Sequence, residues 1–373
     1  MLLQRFSAHD FRNLTDVDFA PSPRATVVVG RNGQGKTNLL EAVYFLCTLK
    51  ALRAGRLAEL IRFEREAALL GGHFTLGGAS REIAVEIRSG TRVASVDGKR
   101  AATLEDYFGG VSVVAFTPDD LAVVKGAPEQ RRTFLDRAAF NRVPGFLAAS
   151  RAYLRALRSR NRLLREGAPL EYLRAYEDTL AAAGGRILVL RRDLLDELGP
   201  RAAAVVASIA RLDGVEYRYA PAHLDCTLAG ATAEGLADEL RSALHRRLAR
   251  DQERGFTSVG PHADDLEITL EGRPARAFAS QGQARALVLG WKIAEIENLR
   301  LALGRFPLLL LDDVSSELDP ERNAFLMRYL AGSGAQVLLT TTEPALVRGA
   351  AGPDTLWLAV ESGLVTPGSV SAG

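Results

Sequence analysis

The chain has few lysines and very few cysteines. Five lysines stand against 42 arginines, and Cys47 and Cys226 are the only cysteines in 373 residues. Two isolated cysteines exclude a disulfide framework and a cysteine-based zinc cluster, so both are expected to act as small apolar residues. Because lysine is so rare, a lysine within a glycine-rich segment is informative.

Long apolar runs and a strong net charge are also absent. No run approaches the roughly 18 apolar residues of a membrane-spanning helix, and residues 1–6 lack the apolar core of a signal peptide. We therefore expect a cytoplasmic protein with no membrane partner. The net charge of +2 neither requires nor excludes nucleic acid as a partner. Evidence for such a partner must therefore come from local clusters of charged residues.

One of the five lysines lies in a glycine-rich segment between an apolar run and a helical pattern. Residues 30–37 read G-R-N-G-Q-G-K-T, which in this context is typical of a phosphate-binding loop, where glycines let successive N–H groups face one anion. Lys36 is expected to reach the β- and γ-phosphates of ATP, and the Thr37 hydroxyl to bind Mg²⁺. The expected ATP-binding residues are Gly30, Arg31, Asn32, Gly33, Gln34, Gly35, Lys36, Thr37 and Asn38.

A second apolar run, residues 306–311, ends in two aspartates. Since the carboxyl ends of parallel strands open on the ligand crevice, Asp312 is expected to bind Mg²⁺ together with Thr37. Asp313 is expected to position or deprotonate the attacking water, although an acid at this place can also cap the next helix. Lys36 and Asp313 are thus the predicted catalytic residues.

A short polar segment opens a long helical pattern further along the chain. It consists of Ser280, Gln281, Gly282 and Gln283. Alone it could be an ordinary helix cap, but beside a phosphate-binding loop it indicates a second anion site. Two such sites with one nucleotide per loop suggest a dimer in which the γ-phosphate joins the loop of one subunit to this signature of the other. Hydrolysis would then release the dimer.

The patterns divide the chain into three segments and define an α/β fold. Residues 1–127 and 255–373 are predicted to form the two halves of an ATPase head, which has a parallel sheet split in sequence and an antiparallel β subdomain. The antiparallel part is expected over 71–116, with a hairpin turn at Asp97-Gly98. Residues 128–254 are predicted to form an inserted helical lobe.

The lobe is expected to be a helical hairpin of about 20 plus 28 residues, since apolar residues recur at steps of three and four. The first seam is Leu147, Leu154, Leu157, Asn161 and Leu164, and the second is Leu173, Tyr176, Leu180, Ala183, Ile187, Leu190 and Leu194. Gly184-Gly185 interrupts the second helix and indicates either close packing or a bend.

Arginines are concentrated on the first helix of this hairpin. Six of them, with no acid between, are Arg151, Arg155, Arg158, Arg160, Arg162 and Arg165. Such a face suits DNA phosphates, with Arg151, Arg155, Arg158 and Arg162 as the candidate contacts, but it could equally be a solvated helix face. His262 has no cysteine or histidine neighbours for a metal site and is expected to be structural or to lie near the nucleotide.

Taken in order, these motifs resemble the RecF family, relatives of the SMC and ABC-type ATPases. The matching segments are F-R-N-L at 11–14, G-R-N-G-Q-G-K-T-N-L-L-E-A at 30–42, F-T-P-D-D-L at 116–121, S-V-G-P-H at 258–262, S-Q-G-Q at 280–283 and D-D-V-S-S-E-L-D at 312–319. The resemblance implies an ATPase head with a short helical lobe. It also implies an ATP-dependent DNA-binding dimer that acts at single-strand gaps, works with RecR and RecO, and helps to place RecA on DNA.

Three positions depart from related ATPases. Residues 117–119 stand where a γ-phosphate-sensing glutamine is common, residues 341–342 where many carry a switch histidine, and Asp313 where transporter ATPases carry glutamate. A shorter acid reaches less far, so we expect slow hydrolysis. The alternatives are a P-loop kinase or metabolic ATPase, which needs no S-Q-G-Q, and a transporter energy subunit, which needs a membrane partner.

Overall fold

The computed structural model describes residues 1–53, 55–143 and 145–368, and in these ranges the β-structure falls into three sheets. The strands, in chain order, are β1 (Leu2–Phe11), β2 (Leu14–Phe19), β3 (Ala25–Val29), β4 (Ala67–Leu76), β5 (Ala79–Arg88), β6 (Thr91–Val96), β7 (Lys99–Arg100), β8 (Val113–Phe116), β9 (Val215–Ala220), β10 (Asp265–Leu270), β11 (Arg273–Pro274), β12 (Leu308–Asp312), β13 (Val337–Thr341), β14 (Leu356–Glu361) and β15 (Leu364–Pro367).

The helices range from single turns to one of 41 residues. They are α1 (Lys36–Thr48), α2 (Leu104–Phe108), α3 (Ala122–Lys125), α4 (Pro128–Arg142), α5 (Phe146–Arg165), α6 (Leu170–Ala210), α7 (Ala233–Arg254), α8 (Ala275–Phe278), α9 (Gln281–Leu303), α10 (Val314–Glu317) and α11 (Pro320–Ser333). No helix in the described ranges is both long enough and apolar enough to cross a membrane.

The chain forms two compact units. The first contains Met1–Pro118 and the chain from Leu299 onward, and the second contains Asp119–Asn298. The three segments predicted from the sequence, 1–127, 128–254 and 255–373, have boundaries that differ from those of the two units. That division stays a prediction.

The first unit contains the predicted split parallel sheet. Its strand order is β15-β14-β3-β13-β12-β8, and all neighbours except β15 and β14 run parallel. Strands β12 and β13 are buried along their whole length, as expected for strands covered on both faces. Helix α1 packs against this sheet and also against the antiparallel one, with Leu39 and Phe45 fully buried.

The antiparallel sheet of the first unit has the order β2-β1-β4-β5-β6-β7. The predicted hairpin turn is confirmed, since Asp97 and Gly98 have φ of 49° and 73° between the paired ends of β6 and β7. The assignment of residues 111–116 to this sheet was wrong. Strand β8 pairs with β12 in the parallel sheet, because its four buried residues fit a sheet covered on both faces and not a half-exposed one.

The second unit is built on a helical hairpin whose first helix, α5, has the predicted 20 residues. Its buried seam is rotated from the predicted one: Leu154 is 40% exposed, whereas Tyr153 and Arg160 are buried because polar partners hold them inside. The second helix, α6, has 41 residues instead of 28. Buried Ala202 and Val206 continue its apolar stripe past Pro200, and their burial offsets the cost of about 3 kcal/mol for an internal proline.

Close packing explains the glycine pair inside α6. A Cβ atom on Gly185 would lie 2.3 Å from the carbonyl oxygen of Ala233 and 2.7 Å from the backbone nitrogen of Ala237. One on Gly184 would lie 2.8 Å from a methyl group of Leu240. Helix α7 therefore approaches α6 at backbone distance, and this is the first of the two alternatives that the sequence left open.

Candidate nucleotide-binding site

The glycine-rich segment lies between the end of β3 and the start of α1, as predicted. Gly35 has φ of 120°, a value that side chains rarely allow, and a Cβ atom there would meet Asn13 Oδ1 at 2.8 Å. A Cβ atom on Gly30 would lie 2.5 Å from the carbonyl oxygen of Val360. Both positions thus require glycine, which lets the chain turn tightly between β3 and α1.

The Lys36 side chain folds back over this loop. Its Nζ donates hydrogen bonds to the carbonyl oxygens of Gly30 at 2.7 Å and Arg31 at 3.1 Å. Burial lowers the pKa of Lys36, and the negative charges of Asp313 and Asp312 oppose that shift. The amine is thus held between the loop and the two acids, where a bound polyphosphate would add negative charge.

Asp312 at the end of β12 is joined to two threonine hydroxyls. Thr37 Oγ1 donates to Asp312 Oδ1 at 2.8 Å, and Thr340 Oγ1 donates to the same oxygen at 2.9 Å. Burial raises the pKa of Asp312, and both hydrogen bonds oppose the shift. Because β12 and β13 are parallel neighbours paired at Asp312 and Thr340, the sheet itself brings these groups together.

Asp313 follows with its backbone in the left-handed region, at φ of 50°. Its N–H donates to Thr340 Oγ1 at 2.9 Å, which fixes the backbone where the side chain turns. Burial raises the pKa of Asp313, while the positive charge of Lys36 opposes this. Its Oδ1 is buried and has no hydrogen-bond partner within the described residues. Such an orphaned acceptor is suited to orienting a water molecule.

These groups surround a cleft of about 340 Å³. The predicted ATP-binding residues that line it are Asn32, Gly33, Gly35, Lys36, Thr37 and Asn38. Asp312, Asp313, Arg53 and Pro118 complete the lining. The lining is mostly polar and combines loop amides with cationic side chains, which suits a phosphate chain.

The residues present also fit Mg²⁺. The 2.8 Å between Thr37 Oγ1 and Asp312 Oδ1 is close to the spacing of about 3 Å between adjacent ligands of an octahedral ion. Mg²⁺ is commonly held by one or two carboxylates together with substrate phosphates, without a dedicated cage of acids. The described residues contain no group of three or more His, Cys, Asp or Glu side chains arranged for a metal.

Asn13 and Ser362 contact the loop but were not among the site residues predicted from the sequence. Asn13 Nδ2 donates to the carbonyl oxygen of Gln34 at 3.1 Å, and Asn38 Nδ2 donates to Asn13 Oδ1 at 2.8 Å. The Gln34 side chain turns away from the cleft and accepts the N–H of Ser362 at 2.7 Å. The sequence feature that could have indicated this role of Asn13 is its place in the F-R-N-L segment.

Arg53 and Glu41 form a second feature that sequence reasoning missed. Glu41 is fully buried in α1, pairs with Arg12 at 3.0 Å, and accepts the backbone N–H of Arg53 at 3.2 Å. This places Arg53 on the rim of the cleft. A buried glutamate within an apolar helix was the signal in the sequence, because such a charge requires partners.

The positions that depart from related ATPases have distinct environments. Pro118 lines the cleft. The Thr341 hydroxyl donates to the carbonyl oxygen of Glu343 at 3.0 Å and accepts its N–H at 2.9 Å. Thr341 is thus engaged with its own turn, and Thr340 is the strand residue that reaches the acids.

The signature segment begins α9 in the second unit. Ser280 Oγ accepts the N–H of Gln283 at 3.2 Å, and Gln283 Oε1 accepts the N–H of Ser280 at 2.8 Å, which forms a capping box. Ser280 and Gln281 are exposed, and Gly282 is half-buried. The contribution of this segment to a partner's nucleotide stays a prediction.

Lys125 holds the chain that leads into the signature. Its Nζ donates to the carbonyl oxygens of Ala275 at 3.5 Å, of Arg276 at 3.3 Å, and of Ala279. One ammonium group therefore satisfies three carbonyls of the turn directly before Ser280. Its place in the sequence gave no indication of this contact.

The candidate DNA contacts lie on one exposed face of α5. Arg151, Arg155, Arg158 and Arg162 are all exposed. Arg160, counted with them in the sequence, is instead fully buried and bonds Asp251 and Thr257, because its helical position faces the hairpin interior.

His262 is hydrogen-bonded to two residues of the second unit. It is largely buried, with Nδ1 2.6 Å from the Tyr153 hydroxyl and Nε2 2.9 Å from the carbonyl oxygen of Thr257. Burial lowers its pKa.

The split parallel sheet, the loop that holds Lys36 and the paired acids define an ATPase head of the ABC and SMC class. The family model described as the RecF/RecN/SMC N terminal domain matches residues 2–357. The chain belongs to the RecF family.

Individual proteins agree with this membership. The DNA replication and repair protein RecF of Myxococcus xanthus is 66% identical, covering 98% of this chain and 97% of its own length. A solved structure entitled as RecF with ATP in the RecFOR pathway is 27% identical, with a TM-score of 0.89 over 99% of this chain and 98% of its own. An Smc head from Pyrococcus furiosus, 15% identical with a TM-score of 0.57 over 99% of this chain and 96% of its own, shares the fold.

Proposed function

We propose that this chain is an ATP-dependent DNA-binding clamp of recombinational repair that dimerises on ATP and hydrolyses it slowly. The proposal rests on one observation. Thr37, Asp312 and Asp313 lie beside Lys36 in one polar cleft. A plain nucleotide-binding protein would need the loop but not the orphaned carboxylate oxygen of Asp313.

Each residue has a defined task in hydrolysis. Lys36 and the loop amides bind the β- and γ-phosphates, and Thr37 and Asp312 hold Mg²⁺, which when bound neutralises phosphate charge. Asp313 orients a water and accepts its proton as the water oxygen bonds to the γ-phosphorus and the bond to the bridging oxygen breaks. The products are ADP and phosphate.

Dimerisation and DNA binding rest on the second unit and on the family. The exposed, capped start of α9 at Ser280 is suited to an anion presented by a second copy, and the arginines of α5 suit DNA phosphates. The named relatives, and the RecFOR pathway in which the solved RecF structure is placed, support a role with RecO and RecR, and with RecA downstream. This activity on DNA would take place in the cytoplasm.

A P-loop kinase or metabolic ATPase is the competing function. It would use the same cleft but would transfer phosphate to a small acceptor. It would need neither the signature nor the arginine face, and its activity would be independent of DNA.

The test is molecular mass by light scattering, with and without ATP, in the presence of a gapped duplex. We expect the wild type to double its mass with ATP and Lys36→Met to stay monomeric, because that side chain cannot bind phosphate. Lys99→Met, which changes an exposed lysine in a hairpin, is the matched control and should dimerise normally. Dimerisation of Lys36→Met with ATP would refute the proposal, and acceptor phosphorylation without any mass change would favour a kinase.

A further inference from the structure

One strand of the second unit has an edge that is only partly covered. Strand β10 pairs with β9 along all six of its residues, whereas β11 on its other side has two residues. After Pro274 the chain leaves the sheet and begins α8 at Ala275. In the described ranges, residues 265–268 of β10 therefore have no strand beside them on this edge. Proteins usually cover such an edge, because it is a template for another chain.

The backbone of Ile268 faces this open edge. Beyond the last strand pair, the Glu271 N–H donates to the carbonyl oxygen of Gly214 at 2.9 Å, so Glu271 directs its backbone groups towards β9. Because these groups alternate between the two edges along a strand, those of Leu266 and Ile268 point the other way. The Leu266 N–H donates to Asp265 Oδ1 at 2.8 Å. No such partner exists among the described residues for the N–H and C=O of Ile268.

A groove of about 380 Å³ opens along this edge. Residues 265–269 of β10 line it together with Val124, Arg131, Pro274 and Arg276. The open part of β10 gives an edge of about 13 Å, since each residue of a strand adds about 3.3 Å. This length suits a segment of about four extended residues.

A buried hydroxyl borders the same groove. Thr269 lines it, and Thr269 Oγ1 is buried without a hydrogen-bond partner in the part of the chain that the structure describes. Buried polar groups are nearly always paired in native proteins. The Thr269 hydroxyl and the Ile268 backbone are therefore two separate polar groups that a bound molecule would satisfy.

The charges around the groove favour an acidic molecule. Asp265 accepts hydrogen bonds from Arg131 through both carboxylate oxygens at 2.7 Å, and Glu267 Oε2 accepts one from Arg218 at 2.6 Å. Both acids of the lining are thus neutralised. Arg276 is exposed and has no carboxylate within salt-bridge distance among the described residues. One positive charge is therefore left to bind a carboxylate.

We propose that this groove binds an extended, acidic segment of a partner protein, which adds a strand to β10 beside β11. The segment exchanges main-chain hydrogen bonds with the N–H and C=O of Ile268, and one of its carboxylates pairs with Arg276. Such strand addition is a common way of recognising peptides. The inference goes beyond the proposed function and does not depend on it.

The backbone of Ile268 is what selects a peptide over a nucleic acid. An extended peptide presents both an N–H and a C=O to the same edge at every second residue. The phosphates of DNA only accept hydrogen bonds, so they could pair with Arg276 and with the Ile268 N–H but would leave the Ile268 carbonyl unpaired. A small anion would occupy one end of the groove only.

The experiment selects heptapeptides from a phage-displayed library with the full chain as bait. Enriched sequences are expected to contain an Asp or Glu at a fixed place among residues of high strand propensity. The best peptide is then synthesised in two forms, each N-methylated at alternate residues. The form methylated at the residues that face β10 should bind at least tenfold more weakly by fluorescence anisotropy, and the other form should change less than twofold.

Variants of the groove test the side chains. Arg276→Gln should weaken binding about three- to fivefold, and should have no effect on a peptide in which Asn or Gln replaces the acid. Thr269→Val, which keeps the shape of the side chain, should weaken it about threefold. Arg174→Gln changes an exposed arginine of α6 outside the groove and is the matched control, with affinity unchanged. Equal midpoints of urea unfolding show that the variants are folded.

Four results would overturn the inference. Selection might enrich no peptide over an unrelated bait, or the two N-methylated forms might bind alike, which would mean that no strand is added. If oligothymidylate displaces the peptide and loses affinity equally in Arg276→Gln, the groove serves nucleic acid. If the peptide instead dissociates an ATP-independent dimer, the groove is an interface between two copies. In each case the ATP-dependent association tested above is unaffected, so the proposed function stands or fails separately.

Discussion

The Thr340 hydroxyl joins the two aspartates at the end of the neighbouring strand. It donates to Asp312 Oδ1 at 2.9 Å and accepts the N–H of Asp313 at 2.9 Å. One side chain thus orients the proposed Mg²⁺ ligand and holds the left-handed backbone of the proposed base. Thr340 is therefore a positioning residue of the cleft.

Replacing the Thr340 hydroxyl should slow ATP hydrolysis while leaving nucleotide affinity almost unchanged. Thr340→Val keeps the shape of the side chain, so we expect nucleotide affinity to change less than threefold and kcat for ATP to fall about 10- to 100-fold, as when one hydrogen bond to a catalytic group is lost. Steady-state kinetics across Mg²⁺ concentrations measures this. Thr341→Val is the matched control, because among the described residues that hydroxyl pairs with the backbone of Glu343 and not with the acids. Equal losses in the two variants would argue against a specific role for Thr340.

Asp313 is expected to control the lifetime of the ATP-bound state. In Asp313→Asn the amide cannot accept a proton from water, so hydrolysis should fall at least 100-fold while ATP-dependent association persists longer. Single-turnover hydrolysis and dimer dissociation after dilution measure the two effects. A change in hydrolysis of less than threefold would mean that Asp313 only shapes the turn before α10. A wild-type rate above about 10 s⁻¹, an ordinary turnover, would contradict slow hydrolysis.

Lys125 should affect the signature without affecting the cleft. Lys125→Met removes the donors to the carbonyls of Ala275, Arg276 and Ala279, and the turn before Ser280 should loosen. We expect ATP-dependent dimerisation to weaken about tenfold, while binding of a fluorescent ATP analogue to the monomer stays within twofold. Lys99→Met again serves as control. A parallel loss of monomer nucleotide binding would show that the effect is on general folding.

Stability of the second unit should depend on the protonation of Asp264. Burial raises its pKa to about 6, against hydrogen bonds from Ala222 and Tyr219 and the charges of Arg191 and Arg132. Because the folded state binds this proton more tightly than the unfolded chain, stability should rise as pH falls from about 7 through 6 towards 4. The gain is about 3 kcal/mol over that window.

The pH dependence of this stability can be measured in a variant that keeps a single tryptophan. In a Trp357→Phe background, Trp291 reports denaturant unfolding of the second unit. Asp264→Asn should flatten the pH dependence, and Asp193→Asn, which changes an exposed carboxylate, should not. An unchanged slope in Asp264→Asn would assign the pH dependence to other groups.

The features that could be predicted from the sequence are those set by a short, local pattern of residues. The loop before Lys36, the buried strand ending at Asp312, and the hairpin turn at Asp97-Gly98 each have a signature within a few residues, and the structure contains all three. Strand β8 was placed in the wrong sheet because its pairing with β12 joins residues far apart in the chain, and no local pattern shows such a pairing.

Contacts between distant residues account for what the sequence did not show. Thr340 reaches Asp312 because β13 lies beside β12. Arg160 is buried because Asp251 and Thr257 approach it at the end of α7 and Glu177 pairs with it from α6. Helical periodicity cannot reveal such pairs, since it relates residues only to near neighbours.

The order of strands in the parallel sheet has a consequence for synthesis of the protein. Strand β3, which carries the loop, pairs with β13 and β14, and both leave the ribosome only after the whole of Asp119–Asn298. The nucleotide cleft therefore cannot assemble on a nascent chain until β13 and β14 have been synthesised, whereas the residues of the second unit leave the ribosome earlier. Chains cut short before β13 would lack the strand that joins β3 to β12, and with it the assembled cleft.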